Sequence, residues 1–155
     1  RTVRSLATLL TNYEGVKQYF VAPPEFQIGQ DILDYLDKHG ASYEVTGDFE
    51  AVLPEVDAIY MTRLQDEWDA QDHTSAKIDI EHYSLRERHL QVLKADAVIL
   101  HPLPRRQEID VAIDADPRAG YWRQVRNGMW VRVALIAMIF RRQRNILEYY
   151  LNNNL

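Results

Sequence analysis

A pair of prolines behind an apolar run constrains this chain more than any other feature. Residues 97–100 (AVIL) are typical of a buried strand, and residues 101–105 (HPLPR) follow directly. Proline lacks a backbone N–H and restricts the residue before it, so neither a strand nor a helix continues through this turn. The turn is therefore either a plain connector or, at the carboxyl end of a strand, an acceptor-rich wall of a ligand crevice.

The rest of the sequence alternates strand and helix patterns. Besides residues 97–100, apolar runs predict strands at residues 18–22, 43–46 and 58–62. Helical periodicity separates them, as in the segment around Ile32 and Leu36 that Gly40 ends. We therefore predict an α/β fold, a doubly wound parallel sheet in a three-layer α/β/α, Rossmann-like architecture over residues 1–155. Such a sheet would have a fifth strand just before Arg1, so we expect this fragment to lack its first strand.

The C-terminal third is predicted to be helical. Asp116 and Pro117 have the pattern of an N-cap followed by proline at the first helical position, which predicts a helix to about Val125. Asn127 and Gly128 predict a break, after which a long helix would run over residues 129–150. Residues 63–82 are polar and without clear periodicity, which is typical of a long loop that is functional or mobile.

Composition excludes several classes of function. Charged residues make up 26% of the 155 residues, as expected for a folded domain in water. The net charge of −5 argues against a nucleic-acid partner, and no signal or membrane-spanning segment is apparent in the sequence. The chain has no cysteine, which removes disulfides and thiol chemistry and is compatible with a cytoplasmic location.

Three places in the sequence fall where the carboxyl ends of the strands would meet: the helix start at Arg1 and Thr2, residues 62–65, and the proline turn. Arginine binds a carboxylate bidentately, and a helix N-terminus adds backbone N–H donors for an anion. Arg1 and Arg63 facing one crevice would suit a dicarboxylate. The alternatives are a surface ion pair between Arg63 and Glu67, and a solvated chain terminus at Arg1.

Four segments, in order, resemble one enzyme family. They are RTVRSL (residues 1–6), YMTRLQ (60–65), HPLPR (101–105) and YWRQ (121–124), the last followed by NG (127–128) and VRVAL (131–135). Together they closely resemble the amino-acid-binding domain of the aspartate carbamoyltransferases over nearly the whole chain. The related ornithine enzymes carry cysteine in place of Pro102 and an acidic motif in the amino-acid loop. Arginine at residue 63 favours an anionic substrate, so the resemblance implies aspartate rather than ornithine.

The resemblance implies roles for individual side chains. The aspartate-binding set would be Arg1, Thr2, Arg63 and Gln65, with Glu67 holding Arg63 in place. Arg1 and Arg63 would bind the two carboxylates. Gln65 would add a hydrogen bond, and Thr2 would assist at the helix start.

The proline turn would supply backbone acceptors. By resemblance, the carbonyls of Leu103 and Pro104 orient the carbamoyl NH2 group and the attacking amine, and the peptide bond between these residues is cis, the minority form. His101 is expected to be structural rather than a general base. Arg105 would be either a ligand residue or an orienting partner.

The implied reaction is attack of aspartate's neutral amine on the carbonyl carbon of carbamoyl phosphate, which expels phosphate in pyrimidine biosynthesis. It requires positioning and charge stabilisation, and it calls for no protein nucleophile, metal or organic cofactor. The chain lacks the family's phosphate-binding motifs. We therefore expect it to need a carbamoyl-phosphate-binding domain of the same polypeptide, within a homotrimer, and to be inactive alone.

Two other functions compete with this interpretation. One is a non-catalytic transcarbamoylase-like domain that acts as a scaffold or assembly partner, although a scaffold has no need of a carboxylate-binding Arg63. The other is a dinucleotide-binding dehydrogenase, which is disfavoured because no G-x-G-x-x-G motif follows a predicted strand.

Overall fold

Parallel strands in two short sheets form the framework of the chain. The computed structural model describes residues 2–63 and 80–153. In it β1 (Lys17–Val21) pairs with β2 (Ser42–Thr46), and β3 (Ala58–Tyr60) pairs with β4 (Val98–Leu100). Both pairs are parallel, which confirms the predicted α/β class, and each strand lies where an apolar run predicts one. Within the described part, the strands form two two-stranded sheets rather than one continuous sheet.

Helices precede, connect and follow the strands. The α-helices are α1 (Thr2–Leu10), α2 (Gln30–Lys38), α3 (Phe49–Val52), α4 (Tyr121–Ile139) and α5 (Gln143–Asn152). Shorter 3-10 helices cover Pro24–Phe26, Ile80–Tyr83, Glu87–Gln91 and Val111–Ala115. In the part of the chain that the structure describes, no helix is both long and apolar enough to cross a membrane.

The end of α2 follows the sequence prediction closely. Gly40 has a φ of 63°, a conformation that costs glycine little because it has no Cβ. Its N–H donates to the carbonyl of Asp37, and the N–H of Ala41 donates to the carbonyl of Leu36. These two bonds satisfy carbonyls that the last helical turn leaves open, and they redirect the chain into β2.

The larger of two apolar cores surrounds β3 and β4. Ile99 of β4 is fully buried there, together with Leu85 and Tyr121. Leu103, in the proline turn, packs against this core, so the turn is anchored to the strand that leads into it. A smaller core lies under α1 and α2 and is made of Ala7, Phe20, Ile32 and Leu36.

A cavity of about 690 Å³ lies between the two sheets. Tyr19 and Val21 of β1 line one side, and Ile59 of β3 lines the other. Because Pro23, Arg63 and other residues that follow these strands also line it, the cavity extends to the carboxyl ends of β1 and β3. The cavity therefore reaches the edge where the sequence places a ligand crevice.

The start of α4 differs from the prediction. The helix begins at Tyr121 and not at Pro117. The N–H of Ile99 donates to the carbonyl of Arg118 at 2.8 Å, and the N–H of Gly120 donates to the carbonyl of Ile99 at 2.8 Å. The predicted N-cap is overridden because Ala119 forms a parallel bridge with Ile99, and the backbone groups of Arg118 and Gly120 hydrogen-bond to Ile99 on that edge of β4.

The predicted break at Asn127 and Gly128 is wrong as well, since α4 runs through both residues. Glycine weakens a helix by about 1 kcal/mol but keeps its N–H, so a well-supported helix continues through it. The chain breaks instead at Arg141, which has a φ of 53°. There the N–H of Arg142 donates to the carbonyl of Ala137 at 2.7 Å, ending α4 before α5 begins.

A glycine substitution tests this assignment. We expect Gly128→Ala to stabilise the protein by about 0.5–1 kcal/mol, because alanine loses less chain entropy inside a helix. The nearest atom to an added Cβ belongs to the flexible Arg132 side chain. Urea denaturation measures the change, and Gly40→Ala is the matched control that should destabilise, because its φ is positive. A loss of stability in Gly128→Ala would restore the predicted break.

Candidate functional site

The proline turn takes the conformation that the family resemblance predicts. The Leu103–Pro104 peptide bond is cis, which confirms that prediction. Leu103 has a φ of 51°, an uncommon value for a residue with a branched side chain. Leu103 is half-buried and Pro104 is exposed, so the turn is fixed on the protein side and open on the other.

Hydrogen bonds from His101 hold this turn. His101 is 0% exposed, and its Nδ1 lies 2.8 Å from the backbone N of Leu103. Its Nε2 lies 2.8 Å from Oε1 of Glu108, which also accepts the N–H of Arg106 at 3.0 Å. The backbone N–H of His101 donates to Oε1 of Gln124 in α4. Nδ1, Nε2 and the backbone N–H of His101 are therefore bonded to Leu103 in the turn, to Glu108 in the loop after it and to Gln124 in α4, respectively.

The surroundings of His101 favour its neutral form. Burial lowers the pKa of the imidazole, and the negative charge of Glu108 opposes that effect without overcoming it. The positive charges of Arg105 and Arg63 lower the pKa of His101 further. The net effect is a His101 pKa below the ordinary value for histidine.

The pairing of β3 with β4 brings Arg63 to the turn. Tyr60 lies opposite Leu100, and the N–H of Met61 donates to the carbonyl of Leu100 at 2.9 Å. Arg63, two residues further, is half-buried, lines the cavity, and is close enough to His101 to act on its pKa. The structure thus brings together two of the three predicted crevice segments.

Asp114 holds the guanidinium of Arg105 in this structure, as expected for the orienting alternative. Nη2 of Arg105 lies 2.6 Å from Oδ2 of Asp114, and its Nη1 bonds the other carboxylate oxygen. Asp114 also accepts the hydroxyl of the buried Tyr121, and burial followed by this carboxylate raises the pKa of Tyr121 to about 12. Because Asp114 engages both arms of its guanidinium, Arg105 braces the segment after the turn.

The remaining predicted site residues divide into two groups. Thr2 is exposed at the start of α1, and among the described residues it is not part of the cavity lining. Its assistance at the aspartate site stays a prediction. Arg1, Gln65 and Glu67 lie outside the described residues, so their roles stay predictions.

Sequence reasoning missed the contacts that Glu108 and Gln124 make with His101, although Gln124 belongs to the YWRQ segment that carries the family resemblance. Glu108 is only 8% exposed although it is a carboxylate, and Gln124 links the turn to β3 through a 3.3 Å bond from its Nε2 to the hydroxyl of Tyr60. Neither residue has a periodic or motif spacing relative to His101 that could have indicated the contact. Only the packing of α4 and of residues 105–110 around β4 creates it.

Comparison with known proteins identifies the family of the chain. The sequence profile of the aspartate/ornithine carbamoyltransferase Asp/Orn binding domain matches residues 1–139. The chain belongs to this family. It is 40% identical over 144 residues to the chloroplastic aspartate carbamoyltransferase of Oryza sativa subsp. japonica, covering 90% of this chain and 38% of the rice protein.

Solved transcarbamoylases share the fold. The catalytic subunit of M. jannaschii aspartate transcarbamoylase superposes with a TM-score of 0.80 at 29% identity, covering 93% of this chain and 46% of that one. Aspartate transcarbamoylase from Trypanosoma cruzi, in complex with carbamoyl phosphate and aspartate, superposes with a TM-score of 0.73 at 34% identity, covering 88% and 43%. This chain therefore spans less than half the length of these transcarbamoylases.

The pair of Arg105 and Asp114 predicts a pH dependence of stability. Arg105, then Tyr121, lowers the pKa of the Asp114 carboxyl despite partial burial, so the folded state favours the charged form. The resulting stabilisation is present above the unfolded pKa of about 3.9 and is lost as the pH falls below it. Asp114→Asn should cost about 1–3 kcal/mol at pH 7, with the difference from the parent shrinking below pH ~4.

Chemical denaturation between pH 3 and pH 7 measures this difference. Asp31→Asn is the control, because Asp31 pairs with Arg4 on an exposed surface where water screens the charges. Its effect should be smaller than that of Asp114→Asn at every pH. Equal effects of the two variants would contradict a bracing role for Arg105 and Asp114.

Proposed function

We propose that the protein carrying this chain is an aspartate carbamoyltransferase and that the chain is its aspartate-binding domain. The observation that carries the proposal is the pairing of β3 with β4, which places Arg63, a residue of the cavity lining, and the cis Leu103–Pro104 turn after the ends of neighbouring strands. A guanidinium at this edge suits a carboxylate, and the turn offers backbone acceptors to an N–H donor. Aspartate has carboxylates that suit Arg63, and its amine, together with the NH2 group of carbamoyl phosphate, can donate to the carbonyls of the turn.

The proposed reaction forms one bond and breaks another at the same carbon. The lone pair of aspartate's neutral amine attacks the carbonyl carbon of carbamoyl phosphate, the C–O bond to phosphate breaks with its electron pair going to the phosphate oxygen, and the proton of the amine passes to the departing phosphate. The products are N-carbamoyl-L-aspartate and phosphate. Leu103 and Pro104 would accept hydrogen bonds from the carbamoyl NH2 group and the amine, while Arg63 would hold a carboxylate.

A second structural unit is part of this proposal. α4 and α5 carry large apolar side chains that are mostly exposed, among them Trp130 at 59%, Ile139 at 75% and Phe140 at 71%. So many exposed large apolar side chains are typical of a region that packs against another domain or chain. We propose a carbamoyl-phosphate-binding domain of the same polypeptide as its partner, in keeping with relatives more than twice as long as the matched region.

The cavity between the two sheets has β1 on one side and β3 on the other, and in the described part of the chain these strands pair with β2 and β4, respectively. We also propose a homotrimer and a cytoplasmic location. For the location, the absence of cysteine is compatible support, whereas the rice relative is named chloroplastic.

Assay of the complete protein tests the function. With carbamoyl phosphate and L-aspartate, phosphate release and carbamoyl-aspartate formation, followed by mass spectrometry, should both be observed. L-ornithine is the matched control, since its cationic side chain would face Arg63, and it should give no product above background. Absence of turnover with aspartate would favour the scaffold alternative, and turnover with ornithine would overturn the substrate assignment.

The 155-residue chain alone should not catalyse the reaction. It contains the aspartate side of the proposed site but none of the phosphate-binding motifs expected of the family. The same assay applied to this chain is therefore expected to show only the uncatalysed rate. Carbamoyl transfer by the isolated chain would refute the proposed division between two domains.

Arg63 is the side chain whose replacement tests the carboxylate contact. Arg63→Ala in the complete protein should raise KM for aspartate by about 10- to 100-fold, because a charge-assisted bidentate contact is lost. Arg63→Lys should have a KM between those of the parent and of Arg63→Ala, since lysine keeps the charge but cannot bind a carboxylate bidentately. Arg88→Ala is the control, because Arg88 is exposed and pairs with Glu50 away from the cavity lining. An unchanged KM in Arg63→Ala would remove Arg63 from the site.

A further inference from the structure

The hydrogen bonds of His101 define which of its ring nitrogens carries the proton. The backbone N–H of Leu103 can only donate, so Nδ1 of His101 must be the acceptor in their 2.8 Å contact. Nε2 therefore bears the hydrogen, which it donates to the carboxylate of Glu108 at 2.8 Å. Both contacts form together only in the neutral imidazole with the proton on Nε2.

The hydrogen bond from the Leu103 N–H to His101 acts at the residue of the turn whose backbone conformation is least favourable. Leu103 has a φ of 51°, in the left-handed region that disfavours a residue with a Cβ. By accepting the Leu103 N–H, Nδ1 fixes the peptide plane on one side of that torsion angle, and the cis peptide bond follows on the other side. The direction of the Leu103 carbonyl therefore depends on the acceptor at Nδ1.

We propose that His101 is a positioning residue for carbamoyl transfer, and that it acts only as the Nε2-protonated neutral tautomer. In that form it holds the Leu103 carbonyl in its working direction without touching a substrate. Protonation at Nδ1 replaces the acceptor with a donor that faces the Leu103 N–H, and the turn is released. This proposal rests on the proposed function, because it assigns a task to a turn that the function uses.

The charged groups around His101 determine the pH range in which Nδ1 becomes protonated and the turn is released. Glu108 faces Nε2 from the loop after the turn, Arg105 acts from the turn itself, and Arg63 acts from the end of β3. Tyr60 is the titratable group reached through Gln124 of α4. Burial, Arg105 and Arg63 lower the pKa of His101, so the acid limb of activity should lie below the ordinary histidine pKa of about 6.5.

Two substitutions separate the two ring nitrogens. The side-chain oxygen of asparagine in His101→Asn can stand in for Nδ1 and accept the Leu103 N–H, whereas the amide of His101→Gln can stand in for Nε2 and donate to Glu108. His101→Asn should keep kcat within about tenfold of the parent and lose the acid limb, because nothing there titrates. His101→Gln should lower kcat by about 10- to 100-fold with a smaller change in KM for aspartate.

A third variant tests the role of the carboxylate. Glu108→Gln keeps an oxygen that can accept from Nε2 and from the Arg106 N–H but removes the charge that favours imidazolium. The acid limb of kcat/KM should therefore move to lower pH. His39→Asn is the control, since His39 is an exposed residue at the end of α2, and its pH profile should match the parent. Equal losses in His101→Asn and His101→Gln, or an unshifted limb in Glu108→Gln, would overturn the proposal.

A spectroscopic measurement on the parent protein keeps the test independent of how the variants fold and of the proposed function. The ¹⁵N chemical shifts of the His101 ring, assigned in the complete protein by comparison with His101→Asn, distinguish a protonated nitrogen from an unprotonated one. At neutral pH they should show an unprotonated Nδ1 and a protonated Nε2. The opposite tautomer, or a charged ring, would refute the assignment of His101 even if carbamoyl transfer is observed. The correct tautomer without carbamoyl transfer would instead reject the function.

Discussion

Hydrogen bonding along both edges of β4 is the constraint on which the rest of the structure depends. On one edge the N–H of Val98 donates to Asp57 and the carbonyl of Leu100 accepts from Met61. On the other edge Ile99 exchanges two bonds with Arg118 and Gly120. A Cβ on Gly120 would lie 2.8 Å from the Val98 side chain, so this close approach requires glycine. A strand held on both edges delivers the turn that follows it to one position beside Arg63.

The polar groups around that turn follow from the same arrangement. Burying a histidine and a carboxylate is costly unless their hydrogen bonds are made, and His101 and Glu108 make theirs to each other and to backbone N–H groups. The pair of Arg105 and Asp114 braces the chain just beyond. Exposed pairs such as Arg4 with Asp31 contribute little by comparison, because water screens them. The site is therefore rigid where it offers backbone carbonyls.

The family assignment and the geometry both point to the same region of the chain. The profile match covers Arg63 and the proline turn, which follow the paired strands β3 and β4, and it also covers α4, whose Gln124 accepts the backbone N–H of His101. α5 lies beyond residue 139, and its apolar side chains are mostly exposed. The proposed two-domain enzyme gives those side chains a partner.

The sequence by itself determined the strands, the parallel α/β class, the end of α2 at Gly40 and the cis turn at Leu103 and Pro104. These features depend on local chemistry: apolar runs, a residue that tolerates positive φ, and prolines in a recognisable motif. The tertiary structure alone decided that residues 118–120 pair with β4 instead of starting a helix, and that α4 continues through Gly128. It also decided that His101 meets Glu108 and that Asp114 engages Arg105. Local preferences are worth about 1 kcal/mol, and a pattern along the chain does not specify which distant partner will satisfy a strand edge or a buried polar group.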